Sequence, residues 1–128
     1  MDLDRTPAEI ARAASEQVRV LNHRTLRPSV FTYPSEVQDA LTGLNGLLLG
    51  LPQAIDQIHG GLDDVRQKQD LYTHDANNDV DETMNFAKDE LLDAIEHVKE
   101  AQLAIQNVVN RLAYIGARIP ADEPVETV

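Results

Sequence analysis

The segment His74-Asp75-Ala76-Asn77-Asn78-Asp79-Val80-Asp81-Glu82 is the first place to look for a bound cation. With Asp75 as position one of a calcium loop, Asn77, Asp79 and Asp81 fall on the alternate positions that supply oxygen ligands. The required glycine is then replaced by Val80, and the closing bidentate glutamate by Phe86. The match fails at the two most demanding positions, so the segment reads as a polar turn and an acidic helix N-terminus. His23, His59, His74 and His97 are scattered, and no two share a helix at the spacing of a zinc pair. Ser15, Ser29 and Ser35 have no nucleophile-elbow context. Gly60-Gly61 is not part of a phosphate loop, because Gly-x-x-x-x-Gly-Lys is absent.

Asp89, Glu90, Asp93, Glu96 and Glu100 are the other candidate cluster. Helical bundles that hold metals aim such carboxylates inward, often with a Glu-x-x-His element. At about 100° per residue, Asp89, Asp93, Glu96 and Glu100 lie opposite Leu91 and Val98 and are expected to face water. Asp93 with His97 and Glu96 with Lys99 stand at pairing distance on that surface. All-helical nucleotide pyrophosphohydrolases carry paired Glu-Glu-x-x-Glu and Glu-x-x-Asp motifs; Glu90-Leu-Leu-Asp93 fits the second and the first is missing. No cofactor, metal site or catalytic group is expected.

The elements that carry these residues follow from length and pattern. A chain of 128 residues suits one domain. It has no cysteine, so it has neither disulfides nor thiolate metal sites. No basic-then-apolar leader opens it, and the apolar run around Leu47 falls short of the roughly 20 residues that span a bilayer. A cytoplasmic protein without membrane contact is expected. The net charge of -11 repels phosphate backbones, which argues against direct nucleic-acid binding. Before Pro28 the balance is mildly basic, with Arg5, Arg12, Arg19, Arg24 and Arg27 against Asp2, Asp4, Glu9 and Glu16. A basic first helix resting on an acidic body is the simplest reading.

Thr6-Pro7-Ala8-Glu9 supplies an N-cap, a first-turn proline and the returning arm of a capping box. A first helix is expected over about 7–26, with Ala11, Ala14, Val18 and Leu21 on its apolar face, ending at Arg27-Pro28. Val30, Phe31 and Tyr33 are expected to plug the end of a bundle. Pro34 opens a second helix, over about 34–69. Val37, Leu41, Leu44, Leu48, Leu51, Ile55, Ile58, Leu62 and Val65 alternate steps of four and three without a slip, the seam of coiled-coil packing. The phase crosses Pro52 intact, so the helix is expected to kink there and continue. Asp70–Asp79 breaks the pattern and forms the reversal. A third helix is expected over about 79–116, capped by Asp79 or Asn78. Its seam runs Val80, Met84, Ala87, Leu91, Ala94, Val98, Ala101, Ile105, Val108, Leu112 and Ile115. Gly116 and Pro120 end it, and residues 119–128 are expected to be a disordered acidic tail.

The expected fold is all-α: a long antiparallel, coiled-coil-like helical hairpin plus a shorter N-terminal helix, forming a three- to four-helix bundle. No inward polar cluster is expected along the seams. Leu47, Leu48 and Leu49 point all round the second helix, so that stretch calls for a further covering surface. The expected partner-binding residues are Leu44, Leu47, Leu48, Leu49, Leu51 and Ile55, with Leu91, Val98 and Ile105 on the third helix.

Long helical hairpins of this size resemble the WXG100 (ESAT-6-like) substrates of type VII secretion in architecture. The chain departs from that family in having no Trp, and so no Trp-x-Gly turn. It also lacks the Tyr-x-x-x-Asp/Glu export signal, since Val37, Ala76 and Arg118 follow its tyrosines at that spacing. A second likeness spans roughly Ala11 to Leu62. It rests on Leu21-Asn22-His23-Arg24-Thr25, Tyr33-Pro34-Ser35-Glu36-Val37 and Gly50-Leu51-Pro52-Gln53-Ala54. Together these resemble small all-helical actinobacterial proteins of unassigned function, a resemblance that implies no activity.

The sequence thus points to a non-enzymatic helical interaction or scaffold protein that binds partner helices, as a homodimer or with another protein. The alternatives are an acidic inhibitor of a DNA-binding protein, and a metal-dependent helical hydrolase.

Overall fold

A computed structural model describes residues 1–118; the expected acidic tail and the stop at Pro120 lie outside the described residues. Among those described there are three helices and no strand: α1 (Pro7–Thr25), α2 (Pro34–Lys68) and α3 (Val80–Leu112). Each start has a local chemical cause. The Thr6 hydroxyl accepts from the Glu9 amide at 3.2 Å and donates to its carboxylate. At α2 the Glu36 carboxylate reaches back to the amides of Tyr33 (2.9 Å) and Thr32 (3.2 Å). Asp79 caps α3 by accepting from the amides of Asp81 (2.7 Å) and Glu82 (3.3 Å). These bonds satisfy amides that the first turn of a helix leaves without intrahelical partners.

α2 runs unbroken for 35 residues with Pro52 inside it. Pro52 offers no amide to the Leu48 carbonyl, a defect that costs about 3 kcal/mol relative to alanine in a helix interior. Pro52→Ala is therefore expected to raise the melting temperature. A lower one would show that the half-buried pyrrolidine ring contributes more by packing than it costs in backbone bonding. α3 stops at Leu112, four residues before the expected end. Its exit is tightened by bonds from Tyr114 to the Arg111 carbonyl (3.2 Å) and from Ile115 to the Leu112 carbonyl (3.1 Å). Gly116 does not adopt the positive φ of a glycine terminator.

α2 and α3 pack closely and run antiparallel. Gln38 bonds to Val109, Asn45 to Gln102, and Arg66 pairs with Asp81, so steps along α2 are matched by equal steps back along α3. At 1.5 Å per residue both helices are about 50 Å long, and the 19-residue α1 is about 28 Å. α1 sits further out: none of its Cα atoms comes within 8 Å of α2 or α3. Val18 and Leu21 of α1 are half-buried and face Ala40, Leu44 and Leu47 across an open groove. Phe31 lies in the corner with Leu21, Val37 and Leu41, while Tyr33 is 58 % exposed. The connection therefore fills the α1–α2 corner and does not plug a bundle end. The arginines of α1 make no ion pair with α2 or α3 among the described residues; Arg19 is instead tied to Glu16 at 2.9 Å. No helix among the described residues is long and apolar enough to cross a membrane.

Candidate interaction face

The side of α2 turned to α3 is not the uniformly apolar seam expected from its sequence. Leu41, Leu48, Ile55 and Leu62 are half-buried as expected. In the row beside them Gln38, Asn45 and Arg66 bond to α3, and Pro52 and His59, both half-buried, continue their seven-residue spacing. On α3 the matching row contains Asp81, Lys88, Ile95, Gln102 and Val109. Hydrophobicity alone selects the neighbouring row, one residue earlier on each helix. The polar row can face α3 because Gln38, Asn45 and Arg66 find partners across the interface.

The centre of that network is Asn45, 6 % exposed, which with Ile95 (8 %) makes up the buried residues among those described. Its amide nitrogen donates to Gln106 Oε1 at 2.6 Å, and its carbonyl oxygen accepts from Gln102 Nε2 at 3.1 Å. Gln106 Nε2 then donates to Asn110 Oδ1 at 2.8 Å. The expectation of no inward polar cluster is thereby corrected. The missed signal was the heptad spacing of Gln38, Asn45, Pro52, His59 and Arg66, which only a search for polar periodicity would have found. Nearer the reversal, Lys88 Nζ bonds both Asp63 carboxylate oxygens, at 2.7 and 2.8 Å.

That hydrogen bond from Lys88 holds the Asp63 carboxyl below its ordinary range, against a smaller opposing effect of desolvation. A carboxylate with a lowered folded-state pKa contributes stability above its unfolded value of about 4. The contribution disappears as pH falls through the folded value. Lys88→Met is therefore expected to lower the melting temperature at pH 7, and the gap to wild type is expected to close in acid below about pH 4. A gap that persists in strong acid would assign the loss to packing of the lysine stem.

The candidate residues divide between two faces. Leu48, Ile55, Leu91, Val98 and Ile105 are half-buried at the α2–α3 contact. Leu44 and Leu51 lie on the flank of α2, half-buried, and Leu47 beside them is 38 % exposed. Leu49 points to the other flank and is 59 % exposed. The flank bearing Leu44 and Leu51 continues as Ala54, Ile58, Gly61 and Val65, with Ile58 59 % and Val65 47 % exposed. The groove between α1 and this stripe is lined on α2 by Ala40, Gly43, Leu44 and Leu47.

Two antiparallel helices are related by an approximate two-fold normal to their common plane. The residues immediately preceding the contact rows therefore emerge on the same side of both. On α2 that row is Val37, Leu44, Leu51, Ile58 and Val65; on α3 it is Val80, Ala87, Ala94, Ala101 and Val108. These two rows are uncharged and apolar; the next row outward is Ala40, Leu47, Ala54 and Gly61 on α2 but Thr83, Glu90, His97, Ala104 and Arg111 on α3. Asp63, Gln106 and Lys99 lie toward the opposite side.

The chemistry considered from sequence is arranged as follows. Asp89, Glu90, Asp93, Glu96 and Glu100 are all exposed on α3. Glu96 pairs with Lys99 at 3.6 Å, and His97 lies 4.0 Å from Glu100 instead of pairing with Asp93. No group of three or more histidines and carboxylates able to hold a metal occurs among the described residues. Asp75 bonds its own turn, accepting from the amide of Asn77 and the side chain of Asn78, both at 3.0 Å. Compared with protein-family models, with curated proteins and with solved structures, the chain matches none.

Proposed function

We propose that the protein is a non-enzymatic helical interaction module that covers the open apolar side of its α2–α3 layer with another helical surface. The observation that carries this reading is the ratio of buried to exposed apolar groups. Ile95 is the one buried apolar residue among those described, while Leu47, Ile58, Val65 and Val108 stand 38–59 % exposed on a single side. Large apolar side chains exposed together on one side mark an interaction surface. Two long helices with so small a core are only marginally stable alone, and covering the patch adds about 25 cal/mol per Å² of apolar area. The coiled-coil-like hairpin supplies a rigid platform, with polar pairs fixing how α2 and α3 lie.

An environment-sensitive apolar dye tests this in dilute protein. Ile58→Asp is expected to cut dye binding several-fold, and Leu49→Asp, on the opposite flank, to leave it unchanged. Equal dye binding by wild type and Ile58→Asp would contradict the reading.

A second reading draws on the exposed carboxylates of α3. Asp89, Asp93, Glu96 and Glu100 form a ridge that a basic, DNA-binding protein could mistake for a phosphate backbone. Its mark would be a complex with a basic partner that dissociates as salt is raised.

A further inference from the structure

We infer that the occupant of the uncovered half of this face is a second copy of the chain, with α2 of one copy lying over α3 of its partner. The inference rests on the interaction-module reading and adds the identity of the partner. Three observations lead to it.

The first is extent. The α2 residues that line the groove with α1 end at Leu47, and further along the stripe Ile58 and Val65 stand 59 % and 47 % exposed. The second is charge. At -11, two copies repel wherever their carboxylates meet. Leu51, Ala54, Ile58, Gly61 and Val65 of α2 and the alanine row of α3 carry no charge, with Glu90 and Arg111 beside the alanines, so this is a face through which a like-charged copy can approach. The third is shape. α2 contributes large side chains at seven-residue spacing, Leu51, Ile58 and Val65. α3 contributes small ones at the same spacing, Ala87, Ala94 and Ala101. A two-fold axis parallel to the helices sets each large row over the partner's small row, twice. The face is thereby complementary to itself, the condition for an isologous dimer. Neighbouring helices in the resulting four-helix arrangement are all antiparallel.

The test is an exchange of sizes across the inferred contact, read as assembly mass by size-exclusion chromatography with light scattering. Ile58→Ala and Ala87→Ile, which lie at the same level along the helices, are each expected to weaken dimerisation about tenfold, and the double variant to restore it. Both sites lie outside the buried residues, and circular dichroism reports whether each variant keeps its helices. Single variants without effect, or a double variant no better than their sum, would overturn the inference. A wild-type chain that is monomeric at every concentration overturns it too. If that monomer still binds the apolar dye through Ile58, the interaction-module reading stands and the partner is a different protein. If it binds none, both fall.

Discussion

Leu48→Asp and Leu91→Asp are each expected to cost more than about 3 kcal/mol and to leave a largely unfolded chain at 25 °C. Both leucines are half-buried where α2 meets α3, the one close helix pair in the described structure. The substitution removes apolar contact and places a carboxylate at a half-buried position in the α2–α3 contact. Small domains hold about 5–15 kcal/mol in total, and a chain whose buried apolar core is Ile95 sits at the low end. Helical circular dichroism and a urea melt read the loss. Leu103→Asp is the control: Leu103 is 61 % exposed, so its melt is expected within about 0.5 kcal/mol of wild type. Near-wild-type melts for Leu48→Asp and Leu91→Asp would mean that the α2–α3 contact does not hold the fold.

The second prediction separates stability from register. Asn45→Ala deletes a donor and an acceptor at once and removes the partner of Gln102 Nε2 and of Gln106 Oε1, both on half-buried side chains. The expected cost is about 1–3 kcal/mol. Asn45→Leu fills the space with apolar volume and is expected to be neutral or stabilising in the same melt. Its cost falls elsewhere. A polar residue at an interior heptad position fixes one register, because any slip leaves it unpaired. With leucine there, α2 can slide along α3, and the amide spectrum is expected to show doubled or broadened signals from both helices. A single sharp set of signals with Asn45→Leu as unstable as Asn45→Ala would mean that the network contributes net stability and does not set register.

These variants act at the position where sequence and structure part. The three helices are legible because their starts are written locally, in Thr6-Pro7-x-Glu9, Tyr33-Pro34-x-Glu36 and Asp79. The passage of α2 through Pro52 is legible because the apolar phase does not slip there. Which stripe meets α3 is not legible from hydrophobicity. Leu41, Leu48, Ile55 and Leu62 belong to two overlapping seams, one completed by Leu44 and Leu51, the other by Asn45 and Pro52. The apolar seam scores higher, but the polar one wins because Asn45 finds Gln102 and Gln106, and Arg66 finds Asp81. The losing stripe then becomes the open face. Leu49, grouped with Leu47 and Leu48 by adjacency, falls on the far flank because neighbours on a helix point about 100° apart. The placement of α1 was also beyond the sequence. Its arginines suggested charge pairing with the body, yet its contact with α2 is the apolar one of Val18 and Leu21.

The central claim is that the open face is covered by protein. The most direct measurement is the mass of the purified wild-type chain by light scattering after size exclusion, at low and at high salt. The account predicts twice 14.2 kDa, unchanged or favoured as salt rises, because the contact is apolar and screening weakens the repulsion between acidic copies. A species of 14.2 kDa at every concentration, with no apolar dye bound at Ile58, would contradict it.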